Sequence, residues 1–223
     1  MDVTPESQAA VQGAPKPPRR LWLAAVIAIA WLTGIAAGFF FLLQYETKGG
    51  TRQEAPISWP VSSSLKRQQN GYTLVMFAHP RCPCTTSSIN ELGIALTRSP
   101  KLKTYVLIMH PEGFPADWEK ASLWQQAKAI PNVSVLTDED GSEAAKFGVQ
   151  TSGHVMLYEP SGKLAFSGGI TSGRGHEGDN AGLDAVVAIA SGHTTNISKT
   201  EVFGCSLVNS QKACSGASKE CRN

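Results

Sequence analysis

The stretch from Leu21 to Leu43, LWLAAVIAIAWLTGIAAGFFFLL, runs for 23 residues without a charge. At ~1.5 Å rise per residue a helix of that length reaches about 34 Å, enough to cross a hydrocarbon core of about 30 Å. A core helix of a soluble domain normally keeps a polar face, and this stretch has none. A cleaved signal carries an apolar region of roughly 7–15 residues ending at small side chains. This run is longer and closes on Phe39, Phe40, Phe41, Leu42 and Leu43. The expectation is an uncleaved membrane anchor. Lys16, Arg19 and Arg20 precede it directly, whereas Lys48 and Arg52 lie further out among Glu46 and Glu54. Positive charge held inside then puts the N-terminus in the cytoplasm. In a bacterial cell this means the inner (cytoplasmic) membrane, single-pass, with the rest of the chain in the oxidising periplasm.

The remainder divides by pattern. Residues 1–20, with four prolines, read as a disordered cytoplasmic tail, 21–43 as the anchor and 44–65 as a linker. Residues 66–194 read as one folded domain and 195–223 as a cysteine-containing C-terminal tail. Net charge is +2 and charged residues make up 17% of the chain, a balance that argues against nucleic acid as a partner. Within the domain, short apolar runs alternate with helical spacing. Strands are expected at Leu74–Phe77, Tyr105–Met109, Val133–Leu136, Val155–Tyr158 and Leu164–Phe166. Helices are expected at Thr85–Thr97, at Asp117–Ala129 with Asp117 as N-cap, at Ser142–Phe147 and at Ala181–Ala190. Glu159-Pro160-Ser161-Gly162 marks a hairpin turn. Alternating strands and helices imply an α/β fold, with a largely parallel central sheet, helices on both faces and an antiparallel edge.

Chemistry concentrates where the first strand runs into the first domain helix: His79-Pro80-Arg81-Cys82-Pro83-Cys84. A thiol there meets unpaired amides and the positive end of the helix dipole, both of which favour thiolate. Pro83 suits the first helical position. Cys82 becomes the N-cap and the expected nucleophile, with Arg81 and His79 adding positive charge, and Cys84 becomes the resolving thiol. Aligning instead on Pro83-Cys84 reverses the two roles. Two alternatives stand beside this one. The pair are buried, inert cysteines, or they hold a soft ion such as Cu(I) with a histidine.

This topology, with a cysteine motif opening its first core helix, resembles the thioredoxin superfamily. The stretch 133–169 (VSVLTDEDGSEAAKFGVQTSGHVMLYEPSGKLAFSGG) is similar to the membrane-anchored, TlpA-like branch. HPRCPC with GGITSGRGHEGDNAG further resembles RedB-like proteins. The likeness spans residues 66–194. It implies a thioredoxin-like fold and an extracytoplasmic thiol–disulfide oxidoreductase without a cofactor. The implied partners are protein disulfides or dithiols and a membrane or periplasmic electron partner. Two departures stand out. Cys-Pro-Cys lacks one residue of the usual Cys-x-x-Cys, and the smaller, more strained disulfide ring favours an oxidant or isomerase over a strong reductant. Gly153 falls where thioredoxins carry a cis-proline, so the loop is expected to differ, leaving room near the sulfurs or letting His154 approach.

The glycine-rich segment 168–182 reads either as a solvated loop capping the last helix or as a second active-site loop presenting Arg174 and His176. Of the three tail cysteines, Cys214 and Cys221 are candidates for a structural pair. Cys205 either joins one of them or folds back on Cys82 and Cys84. The metal alternative takes Cys82, Cys84, Cys205 and His154 as its ligands, with copper as the cofactor. Trp118 and Trp124 are read as helix-packing residues.

Overall fold

The computed structural model describes residues 19–50, 54–120 and 122–207. The chain divides near Tyr45 into two units. The first is accounted for by α1 (Arg19–Thr47), which by length and composition is sufficient to cross a membrane. Residues 1–18 and 208–223 lie outside the described residues, and with them the disordered-tail reading and any pairing of Cys214 and Cys221.

The second unit follows the expected order: β1 (Thr73–Ala78), α2 (Pro83–Arg98), β2 (Lys103–His110), α3 (Ser122–Ala129), β3 (Val133–Glu139), α4 (Ser142–Lys146), β4 (His154–Tyr158), β5 (Leu164–Gly168) and α5 (Ala181–Ala190). Sheet order is β3-β2-β1-β4-β5. β1 to β3 are mutually parallel, while β4 and β5 run antiparallel, with Val75 opposite Tyr105 on one side and Met156 on the other. All six residues of β1 are buried, as a central strand covered on both faces requires. β3 alternates in exposure because it lies at the sheet edge.

Each face has its own core. Ile89, Leu92, Ala95 and Leu96 of α2 pack with Leu123 and Ala127 of α3 and Leu183 and Val186 of α5 over Leu74, Met76 and Val106. On the opposite face Ala144 and Phe147 meet Val75, Phe77 and Met156. Two helices on one face being joined by a third, with α4 on the other, completes the thioredoxin-like arrangement implied by the sequence.

Two readings need correction. Residues 54–65 are packed on the domain and do not behave as a linker. Trp59 stacks edge-on against Phe147 and Tyr158 at 5.2 and 5.1 Å. Ser63 Oγ and the Ser64 amide both donate to the Glu143 carboxylate, and Leu65 is buried. The helix expected from Asp117 starts only at Ser122. Asp117 has φ of 67°, which is left-handed and incompatible with an N-cap, and residues 117–120 form a turn that frees Trp118 from helix packing.

Candidate functional site

β1 ends at Ala78, and the chain turns through 79–82, where the Cys82 amide donates to His79 O at 3.1 Å. Cys82 is the N-cap of α2, with extended φ and ψ of −87° and 110°, and Pro83 occupies the first helical turn. Cys82 is only 2% exposed. What reaches its sulfur is the backbone amide of Cys205, donating at 3.3 Å.

Burial raises the Cys82 pKa, but hydrogen bonds from the Cys205 thiol, from Thr85 and from the Cys205 amide outweigh it, and the thiol titrates below its ordinary value. Cys84 moves the other way, raised by burial and then by the charge on Cys82, with Arg174 partly opposing. Cys205, half-buried and donating to Cys82, is pushed up to about 12 by desolvation and by that contact. The three described cysteines are free, and they titrate in different directions: Cys82 is shifted down, Cys84 and Cys205 up. The asymmetry between Cys82 and Cys84 is one of pKa direction. Its cause differs from expectation. Burial, and then Arg81, lower the His79 pKa from its ordinary value. The Arg81 guanidinium lies 4.9 Å over the Trp118 ring. Neither residue supplies the stabilisation of Cys82.

The segment 198–207 brings Cys205 in. The Ser167 amide donates to Ser198 O at 3.0 Å and the Gly169 amide to Glu201 O at 3.1 Å. Arg174 Nη1 donates to Gly204 O at 3.0 Å. Arg174 thus grips the segment while its guanidinium also reaches Cys84, so one residue of the glycine-rich loop belongs to the site. The rest of that loop serves as a cap. Asn180 accepts from the Leu183 amide at 2.8 Å as N-cap of α5, and His176 is exposed, its ring against Gly173.

Gly153 has φ of +86°, which proline, fixed near −65°, cannot adopt. The loop therefore does differ from the thioredoxin pattern. The room expected beside the sulfurs is filled by the 198–207 segment. His154 does not turn to the sulfurs, because its Nε2 is paired with Ser167 Oγ at 2.8 Å. Burial, and secondarily Lys199, lower its pKa to about 4, so it is neutral. Among the described residues, no group of three or more His, Cys, Asp or Glu side chains is arranged to hold a metal ion. Of the copper reading's candidate ligands, His154 is engaged by Ser167.

Sequence reasoning missed three contributors. Ser152 Oγ accepts from the His79 amide at 2.7 Å and pairs with Thr85 Oγ1 at 2.6 Å, tying the loop before β4 to the start of α2. Trp118 borders the site, edge-on to His79 at 5.7 Å and 4.7 Å from Phe114. Thr85 was legible, since it follows the motif at once; Ser152 and Trp118 had no local signal.

No protein-family model matches the chain, and no curated protein matches it. Solved structures do. An uncharacterized conserved protein from Geobacillus kaustophilus is 15% identical, with a TM-score of 0.53, and the match covers 73% of this chain and 93% of that one. A hypothetical protein from Sinorhizobium meliloti is 18% identical at a TM-score of 0.53, covering 72% and 93%. A secreted Mycobacterium tuberculosis disulfide oxidoreductase homologous to E. coli DsbE is 16% identical at a TM-score of 0.42, covering 54% and 83%.

Proposed function

We propose that this thioredoxin-like domain is a thiol–disulfide oxidoreductase, held by α1 at the inner membrane on the extracytoplasmic side. The observation that carries the reading is the Cys82 thiol, drawn below its ordinary pKa at a strand-to-helix junction with Cys84 two residues away. Thiolate is the reactive form in disulfide exchange.

In the reductive direction the Cys82 thiolate attacks one sulfur of a protein disulfide. A Cys82–substrate disulfide forms, and the other substrate sulfur leaves as a thiolate that takes up a proton. Cys84 then gives up its proton and attacks Cys82 Sγ, the mixed disulfide breaks, and the second substrate sulfur leaves. Two electrons and two protons have passed to the substrate, and Cys82–Cys84 remains oxidised until a membrane or periplasmic dithiol partner restores it. The reverse sequence delivers a disulfide. Arg174 beside Cys84 favours its departure as a thiolate.

The test is a redox titration of the full chain in detergent, with thiols alkylated and mapped by mass spectrometry. One two-electron transition at Cys82 and Cys84 is expected, and Cys82→Ser should bring exchange with a disulfide substrate to the uncatalysed background. Exchange that survives Cys82→Ser sinks the assignment.

A further inference from the structure

The loop before β4 and the end of the described chain make a short ladder. The Ser152 amide donates to Cys205 O at 2.8 Å and the Leu207 amide to Gln150 O at 2.8 Å. Between them Thr151 and Ser206 pair antiparallel. This is the pattern by which an extended peptide adds to a free backbone edge, main chain giving affinity and side chains giving specificity. The edge lies against the nucleophile, because Ser152 is bonded to the His79 amide and to Thr85. Its register delivers one residue to the sulfur: the Cys205 amide reaches Cys82 Sγ at 3.3 Å while its carbonyl is held by Ser152. The residue before it is constrained too. A Cβ on Gly204 would stand 1.9 Å from Ser152 O, so any larger side chain unseats the strand. With the strand seated, Cys82 is 2% exposed.

We propose that Gly204–Leu207 is a tethered occupant of the Gln150–Ser152 edge, and that Cys205 forms a disulfide with Cys82, so that the chain regulates its own site. The inference rests on the oxidoreductase reading. The step is an internal exchange. Starting from the Cys82–Cys84 disulfide, the Cys205 sulfur attacks Cys82 Sγ, the Cys82–Cys84 bond breaks, and Cys84 leaves with the proton that Cys205 gave up. No outside oxidant is consumed. An incoming polypeptide must displace the tethered strand to reach Cys82.

Two variants of the full chain in detergent, both in a Cys214→Ser/Cys221→Ser background, test this. The first carries Cys84→Ser and is equilibrated with oxidised glutathione, alkylated with N-ethylmaleimide and mapped by mass spectrometry. A Cys82–Cys205 disulfide in most of the molecules is expected. Cys82 capped by glutathione with Cys205 still alkylated overturns the proposal. The second carries Gly204→Val with Cys84 intact, and its Cys82, compared with the parent background at a pH where both are fully ionised, should alkylate about 10-fold faster or more once the strand is unseated. An unchanged rate overturns the proposal. Should the parent background cycle reversibly between Cys82–Cys84 dithiol and disulfide while Cys82–Cys205 never forms, only the tethered-strand inference falls. If neither pair forms at any potential, the oxidoreductase reading falls with it.

Discussion

Cys82 sits where a helix start should favour thiolate, yet the hydrogen bonds that lower its pKa come largely from a residue 123 positions away in sequence. The helix opening positions the sulfur, and Cys205 supplies the strongest opposition to burial. Replacing Cys205 by Ala therefore removes the thiol donor while keeping the amide, and the Cys82 pKa should rise. Cys205→Ser retains an O–H donor and should restore part of the depression. Thiolate absorbance near 240 nm followed against pH, with the Cys82→Ser trace subtracted, reads this directly. A titration unmoved in Cys205→Ala would place the stabilisation in α2 alone. The Cys-Pro-Cys motif was plain from its residues, because a cysteine flanked by Pro83 at a strand end admits few other geometries. Cys205 was visible only as an odd thiol with open alternatives, since a chain carries no local record of which distant edge a segment will join.

At the scale of elements the strands and helices followed their periodicity, down to Ala181–Ala190, where the expected and observed helix coincide. Misreading occurred where periodicity had no competitor in view. Asp117 looks like an N-cap, but its left-handed backbone closes a turn in which Lys120 pairs with Asp117, and the paired Glu119 and His110 pin that turn to β2. Residues 54–65 have linker composition, but Trp59 finds the ring surface of Phe147 and Tyr158 across the hairpin. That packing makes the segment part of the fold. Trp59→Ala should lower stability by about 2 kcal/mol, less than the roughly 3–5 kcal/mol of a fully buried aromatic because the ring is half-buried. For a domain of this size the melting temperature should fall by about 4–8 °C. A melting curve superimposable on the parent's would return 54–65 to the status of a tether.

Across the whole domain, the sequence disclosed the α/β order and the reactive corner but not the strap that closes it, and His154 shows why the two are linked. It heads β4, is buried, and bonds Ser167 on β5; the Ser167 amide in turn holds Ser198 at the start of the strap. A chain of hydrogen bonds thus runs from the sheet interior to the segment that covers Cys82, with a buried imidazole at its head. With a folded pKa of about 4 against an ordinary 6.5, His154 binds its proton more readily unfolded than folded. Stability from this residue is therefore complete above pH 6.5 and declines as pH falls through the window from 6.5 to about 4. At ~1.4 kcal/mol per pH unit the full decline approaches about 3 kcal/mol. His154→Gln keeps a polar partner for Ser167 and cannot titrate there. Urea unfolding midpoints measured from pH 7.5 down to 4.5 should drop less steeply in His154→Gln than in the parent, and the two curves should converge toward acid. Parallel curves would mean that His154 is protonated in the folded domain without penalty.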